Sequence, residues 1–199
     1  MRLLFICAVL LCFNCDQGKT PVEGITEFQR KMNADFKDAS KSPLKKKDLK
    51  DFDGLDFFPV DSSYVVRAKL KRKANSQWFK MRMTDGAVSE ERIYGVLDFE
   101  LKDKHFKLNV YQGKELMDQP GWEDYLFLPF LDDTNGNTTY GGGRYVDLRI
   151  PKNDTITIDF NTAYSPYCAY NENYSCPIVP RENYLDIKVK AGVMSFESD

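Results

Sequence analysis

The sequence predicts a mainly β domain with a minor helical part at its N-terminal end. Three observations carry that reading. From residue 56 onward apolar side chains recur at every second position. Turn-forming clusters such as "KANSQ", "TDG" and "PKND" interrupt the alternation at short intervals. Helical spacing is confined to two segments ahead of residue 55. The expected architecture is an antiparallel meander forming a single barrel-like or half-closed sheet, with one or two N-terminal helices over one end. A β-sandwich is the alternative.

The first residues stand apart from that domain. "MRLLFICAVLLCFNC" holds one Arg, then an apolar run from Leu3 to Phe13. The run is short for a membrane span and suits a signal-peptide core. It ends at Cys15, followed by the polar "DQGKT", as at a bacterial lipoprotein cleavage and acylation site. The expected organisation is a signal peptide at 1–14, a tether at 15–20, one domain at 21–195 and a tail at 196–199. Cys15 would carry the lipid, and a palmitoylated cell-envelope protein, membrane-anchored in the outer membrane with a periplasmic or surface face, follows. Ordinary secretion and an uncleaved anchor are the alternatives. Loss of Arg2 would leave 27 basic and 30 acidic residues, a net charge of −3 against −2 for the whole chain. That balance gives no footprint for nucleic acid.

"TPVEGITEFQRKMNADFKD" reads as the first helix. Thr20 and Glu23 have capping-box spacing, Pro21 sits at the first turn, and Val22, Ile25, Phe28, Met32 and Phe36 share a face. "SPLKKKDLKDFDG" reads as a short second helix, capped by Ser42, begun at Pro43 and ended at Gly54. The strands follow. "YVVRAKLKRK" turns Tyr64, Val66, Ala68 and Leu70 to one side; "WFKMRM" does so with Phe79, Met81 and Met83. "RIYGVLDFEL" points Ile93, Leu97, Phe99 and Leu101 inward, and "HFKLNVY" points Phe106, Leu108 and Val110 inward. "YLFLPFL" (125–131) is apolar on both parities, so both faces need cover, and Pro129 suggests an edge or a bulge. "RYVDLRI" and "TITIDF" flank "PKND" as a hairpin, and "YLDIKVK" supplies a last strand. About eight strands result.

Two loops hold the polar interest. "DDTNGNTTYGGG" (132–143) is glycine-rich, but an EF-hand register would need Leu131 and Gly142 as ligands, and no phosphate-loop lysine follows. An irregular calcium loop is the remaining metal reading there. The loop from Asn161 to about Arg181 contains Tyr164, Tyr167, Tyr170 and Tyr174, with Pro166, Pro177 and Pro180. Such a long connection rich in rings and prolines is expected to be an ordered wall or lid. Arg144 shares parity with Val146, so its guanidinium points coreward and must be paired. One reading has it grip a ligand, with Asp132, Asn161 and Tyr164 beside it; the other is an internal tie to Asp132 or Asp133.

Cys168 and Cys176 could close a small loop as a disulfide, contributing roughly 2–3 kcal/mol. Two buried free thiols or a metal site are the alternatives, though the mature chain offers His105 as its one histidine, on a polar parity, and zinc needs four ligands. No cofactor and no resident metal is expected. No G-x-S-x-G nucleophile context occurs. A hydrolase would have to use carboxylates such as Asp132, Asp133, Asp159 or Glu182.

The segment from 125 onward resembles a bacterial family known as domain of unknown function 1684. "FLPFLDDTNGNTTYGGGRYVDL", "IDFNTAYSPYCAYNENYSCPIVPRENYL", "AG" at 191–192 and "GLDFFPVD" at 54–61 carry the likeness, which spans about residues 25 to 195. By position the matched polar residues are Asp132, Thr134, Tyr140, Arg144, Asp159, Asn161, Tyr164, Cys168, Cys176 and Asn183; all but the two cysteines are the expected ligand-binding residues. A basic residue often stands in that family where this chain has Leu131. Some members lack a signal peptide, which would leave the cysteine pair reduced there. The family implies no reaction, cofactor or substrate. The expectation for function is therefore a lipoprotein that binds a small molecule, sugar or peptide in a cleft between loops 132–143 and 161–183. A carboxylate hydrolase and a structural or assembly lipoprotein without a ligand are the alternatives.

Overall fold

The computed structural model describes residues 26–196. The expected signal peptide, lipidated Cys15, tether and Thr20–Glu23 capping box lie outside the described residues. Among those described, the elements are α1 (Glu27–Lys37), α2 (Lys46–Lys50), β1 (Val65–Arg72), β2 (Trp78–Arg82), β3 (Val88–Leu101) and β4 (Lys104–Gly113). There follow α3 (Lys114–Met117), β5 (Tyr125–Asp132), β6 (Arg144–Arg149), β7 (Thr155–Asp159) and β8 (Tyr184–Leu185). No helix among them is long and apolar enough to cross a membrane.

The strands make an eight-stranded, nearly closed sheet whose path is β6-β5-β4-β3-β1-β7, with β2 on β3 and β8 on β5. Every pairing is antiparallel except the short β5–β8 contact. The curled sheet encloses the main core. Val66, Ala68 and Leu70 of β1 meet Leu97, Phe99 and Leu101 of β3 and Phe106, Leu108 and Val110 of β4. Leu126, Leu128 and Phe130 of β5, Val146 and Leu148 of β6, and Ile156 and Ile158 of β7 complete it. Period-two alternation thus places one parity of each strand inside. The β3–β4 hairpin turns through Lys102 (φ 49°) and Asp103 (φ 60°), both in the left-handed region that a two-residue primed turn requires.

Four sequence expectations are corrected. The second helix begins at Lys46, not Pro43: the Ser42 hydroxyl accepts from the Leu44 N–H at 3.2 Å, and Pro43 and Leu44 are buried ahead of the helix. Ile93 does not share the inward side of Leu97. A register shift at Tyr94 puts that ring into the main core and sends Ile93 to the opposite face. The 144–149 and 155–159 strands form no hairpin. They are the two ends of the sheet path, and β7 pairs with β1 instead, Val66 opposite Ile158. The 151–154 turn carries the chain across the seam of the barrel. Pro129, finally, lies in an interior strand, opposite Tyr145 of β6. Its missing N–H is tolerated because β4 and β5 pair at one position only, Tyr111 with Phe127.

The second face of β5 is also covered. Tyr125 and Phe127 pack with Met81, Tyr111, Tyr145 and Val179. Helix α1 starts at a capping box: Gln29 N–H donates to Thr26 Oγ1 at 3.2 Å, and Thr26 N–H to Gln29 Oε1 at 3.1 Å. Its Phe36 packs edge-on against Tyr170, 4.8 Å between ring centres, in a third cluster with Leu44, Leu55 and Val193. Phe196, assigned to the tail, packs on Tyr170 at 5.4 Å.

Candidate functional site

Arg144 opens β6 and is wholly buried. Its Nη2 donates to Asp132 Oδ2 and to the Val189 carbonyl, both at 2.8 Å; its Nη1 donates to the Ala191 carbonyl and, at 3.4 Å, to that of Val193. Carbonyls at i, i+2 and i+4 of an extended segment point the same way, so one guanidinium takes the place of a neighbouring strand for residues 189–193. The predicted strand "YLDIKVK" is thus reduced to the two-residue β8 (Tyr184–Leu185), with the Ile187 carbonyl taken by the Asp133 N–H at 2.9 Å. Asp132 Oδ1 accepts from the Thr134 N–H at 2.7 Å and hydroxyl at 2.5 Å, and from Val189 N–H at 3.3 Å. Thr134 Oγ1 in turn lies 2.7 Å from Thr139 Oγ1. Asp132, Thr134 and Arg144 are therefore brought together in an internal knot that turns loop 132–143 upon itself, with the buried Arg144 Nε left without a hydrogen-bond partner among the described residues.

The other residues named from sequence go elsewhere. Asn161 exchanges two 3.0 Å bonds with the backbone of Asp61, and Asp159 Oδ1 holds the Asn161 amide at 2.8 Å. Asn183 treats Asn109 alike: it accepts from the Asn109 N–H at 2.9 Å and donates to its carbonyl at 2.8 Å and to that of Pro129 at 2.7 Å. Each amide acts as a spare peptide group where two chain segments do not form a ladder. Tyr140 OH lies 4.0 Å from Cys168 Sγ. Cys168 and Cys176 are free thiols side by side rather than a closed disulfide, with the Cys168 N–H donating to Cys176 Sγ at 3.2 Å. The hydrogen bond from Cys176 lowers the half-buried Cys168 thiol to about 6, while the same bond and burial raise Cys176.

The cleft that the fold does build has a volume of about 510 Å³ and lies between α1, the outer face of β5 and β6, and the 164–177 segment. Loop 161–183 supplies Tyr164, Tyr167, Tyr174, Cys176 and Pro177 to its wall, and loop 132–143 supplies nothing. The expected cleft between the two loops is corrected accordingly: the loops touch where Tyr140 meets Cys168, and the depression beside the glycine loop, about 220 Å³, takes only Ala169 from loop 161–183. Of the predicted ligand residues only Tyr164 lines this cleft.

Its polar groups are unusual. Tyr125 OH at 2.8 Å and Tyr164 OH at 2.6 Å both donate to Asp147 Oδ1. Burial raises the phenols of both tyrosines, so they remain donors. Glu91 of β3 is 8% exposed and its Oε2 has no partner. A Cβ at Gly113 would stand 3.0 Å from Glu91 Oε1, so glycine leaves that carboxyl its space. Burial away from water pushes the Glu91 carboxyl up to about 7, against the lowering influence of the Ser89 hydroxyl and with a smaller push from the charge of Glu115. Neither Glu91 nor Asp147 has an ion-pair partner among the described residues.

Sequence reasoning missed Glu91, Tyr125, Tyr145 and Asp147. The signal available was the two-faced apolarity of "YLFLPFL", whose second face, Tyr125 and Phe127, forms the cleft floor. The carboxylates weighed for hydrolysis do not meet there. Asp132 is tied to Arg144, Asp133 accepts from Tyr184 OH, Asp159 is held by Asn161, and Glu182 is exposed. His105 is an exposed residue 2.5 Å from Asp98 on the β3–β4 hairpin.

Comparison with known proteins agrees with this architecture. The family described as "Protein of unknown function (DUF1684)" matches residues 50–194. The solution structure of the uncharacterized protein from gene locus rrnAC0354 of Haloarcula marismortui is 32% identical, with a TM-score of 0.66, over 83% of this chain and 89% of that one. No curated protein matches the chain.

Proposed function

The chain belongs to the DUF1684 family, whose description assigns no chemistry, and from that premise we propose that it is a lipid-anchored cell-envelope module that binds a small molecule between α1 and the outer face of β5 and β6. One observation carries the reading. A folded cleft of about 510 Å³ is walled by Phe28, Phe36, Tyr125, Phe127, Tyr145, Tyr164 and Tyr167, and it includes Glu91, whose buried Oε2 has no hydrogen-bond partner among the described residues. Ring-lined concavities with few convergent polar groups are the usual form of small-molecule sites. The larger depression of about 660 Å³ near Asp48, Asp51, Asp53 and Asp56 offers only Phe52 and Phe196 as rings.

The anchor rests on the sequence of residues 1–15. Acylation of Cys15 would hold the domain at a membrane by burying acyl chains, about 0.8 kcal/mol per CH₂. Metabolic labelling with an alkynyl fatty acid tests it: the label is expected on the wild-type protein and lost in Cys15→Ser.

A thermal-shift screen of small molecules on the mature protein tests the cleft, because a ligand that binds only the native state raises its melting temperature. Hits are expected to lose their effect in the Tyr167→Ser/Tyr174→Ser variant. These rings stack edge-on at 5.3 Å on the exposed rim, so the variant folds. Hits that survive it, or a broad screen without any, would leave a structural lipoprotein as the better account.

A further inference from the structure

We infer that the occupant of this cleft is an organic cation: a primary or methylated ammonium carried on a small apolar body. The inference deepens the binding reading above and rests on it. Two facts independent of cleft shape support it. First, the cleft holds three carboxyls, Asp35, Glu91 and Asp147, against one lysine, Lys31. Asp35 is engaged by Lys41 at 3.3 Å, whereas Glu91 and Asp147 have no ion-pair partner among the described residues. Second, Glu91 Oε2 is buried without a hydrogen-bond partner among the described residues. An unpaired carboxyl taken out of water is costly and is satisfied by a proton or by a cation. The walls suit the second. An ammonium over the faces of Tyr125, Tyr145, Tyr164 and Phe127 is attracted by the ring quadrupoles, most strongly where water is excluded. The phenols of Tyr125 and Tyr164 already spend their protons on Asp147, so the cleft offers a ligand negative charge and ring faces, and among the described residues its one lining cation is the exposed Lys31.

Proton linkage follows. Glu91 faces Asp147 of β6, Lys31 and Asp35 of α1, Glu115 of α3 and Tyr125 of β5. Its carboxyl is partly protonated at neutral pH, so a cation that binds its ionised form displaces a proton. Affinity should therefore rise with pH from 6 to 8.

Calorimetric titration of the mature protein in mild detergent, with benzyltrimethylammonium, choline and choline's neutral isostere 3,3-dimethylbutan-1-ol, tests the inference. Benzyltrimethylammonium is expected to bind more tightly than choline, and choline about tenfold more tightly than the alcohol, the factor for one paired or ring-stacked charge. Affinity should strengthen from pH 6 to pH 8. Glu91→Gln should remove that pH dependence and Asp147→Asn most of the preference for charge, with both variants retaining the native circular dichroism. Equal binding of choline and the alcohol overturns the cation while keeping a small-molecule cleft. Absence of binding by all three also overturns it; the broad screen then decides whether the cleft reading stands. A charge preference unaffected by both variants would place the cation elsewhere and overturn the assignment.

Discussion

Replacing Arg144 by Ala separates an internal tie from a ligand contact. The change removes a guanidinium with no exposed surface and leaves Asp132, 3% exposed, without the partner of its Oδ2. Breaking a buried ion pair from one side costs about 3–5 kcal/mol. The carbonyls of Val189 and Ala191 also lose their donor, at about 1–3 kcal/mol each when buried. These losses share one neighbourhood and do not add, so about 4 kcal/mol is the working figure. For a domain of this size each kcal/mol moves the midpoint by about 2–4 °C, and a drop of roughly 8–16 °C is expected. Urea denaturation followed by circular dichroism, with Arg144→Ala, Asp132→Ala and the double variant, measures it. The double variant should be less destabilised than the sum, since it leaves no lone buried charge. A single-variant loss below about 0.5 kcal/mol, the range of ordinary surface changes, would refute the tie. So would strictly additive losses.

Three further outcomes follow from the same structure. Asn183→Ala should cost roughly 2–4 kcal/mol, because the Asn109 N–H and the Asn109 and Pro129 carbonyls lose their partner in a buried position. Hydrogen exchange at the Asn109 amide should accelerate, and unchanged protection there would contradict the role given to Asn183. Gly192→Ala combines a φ of +78° with a Cβ 2.4 Å from the Ala163 carbonyl oxygen. Its loss should exceed the about 1 to 3 kcal/mol of left-handed strain alone, and a thermal midpoint like the parent's would sink that argument. In the reduced protein, iodoacetamide at pH 7 should label Cys168 well before Cys176, as peptide mass spectrometry can read. The Cys168 thiolate is stabilised by the hydrogen bond from Cys176, so its labelling rate should fall as pH drops through about 6. Equal labelling of both thiols would argue against that bond.

Period-two alternation made β1, β4 and β7 legible, since a half-buried strand must send every second side chain inward. The buried position of Val66, Leu108 and Ile158 follows from parity alone. Arg144 was legible as a coreward charge in need of a partner, and Asp132 as the nearest one in sequence. What covers each strand was not legible. Strand partners are chosen by long-range closure, so β7 finds β1 across the seam rather than β6 across a five-residue connection. The bulge at Tyr94 reverses the parity of Ile93 with no mark in the alternation except Gly95.

The sequence by itself determined the sheet, the inward faces, the ring-rich wall of 161–183 and the need to pair Arg144, because these depend on the spacing of residues near one another in the chain. Only the tertiary structure decided that the polar residues of the loops are spent on backbone, and that Glu91, Asp147 and the tyrosines of β5 and β6 share a cleft. Those groups come from strands distant in sequence and are neighbours only because the sheet curls and α1 packs beside its outer face.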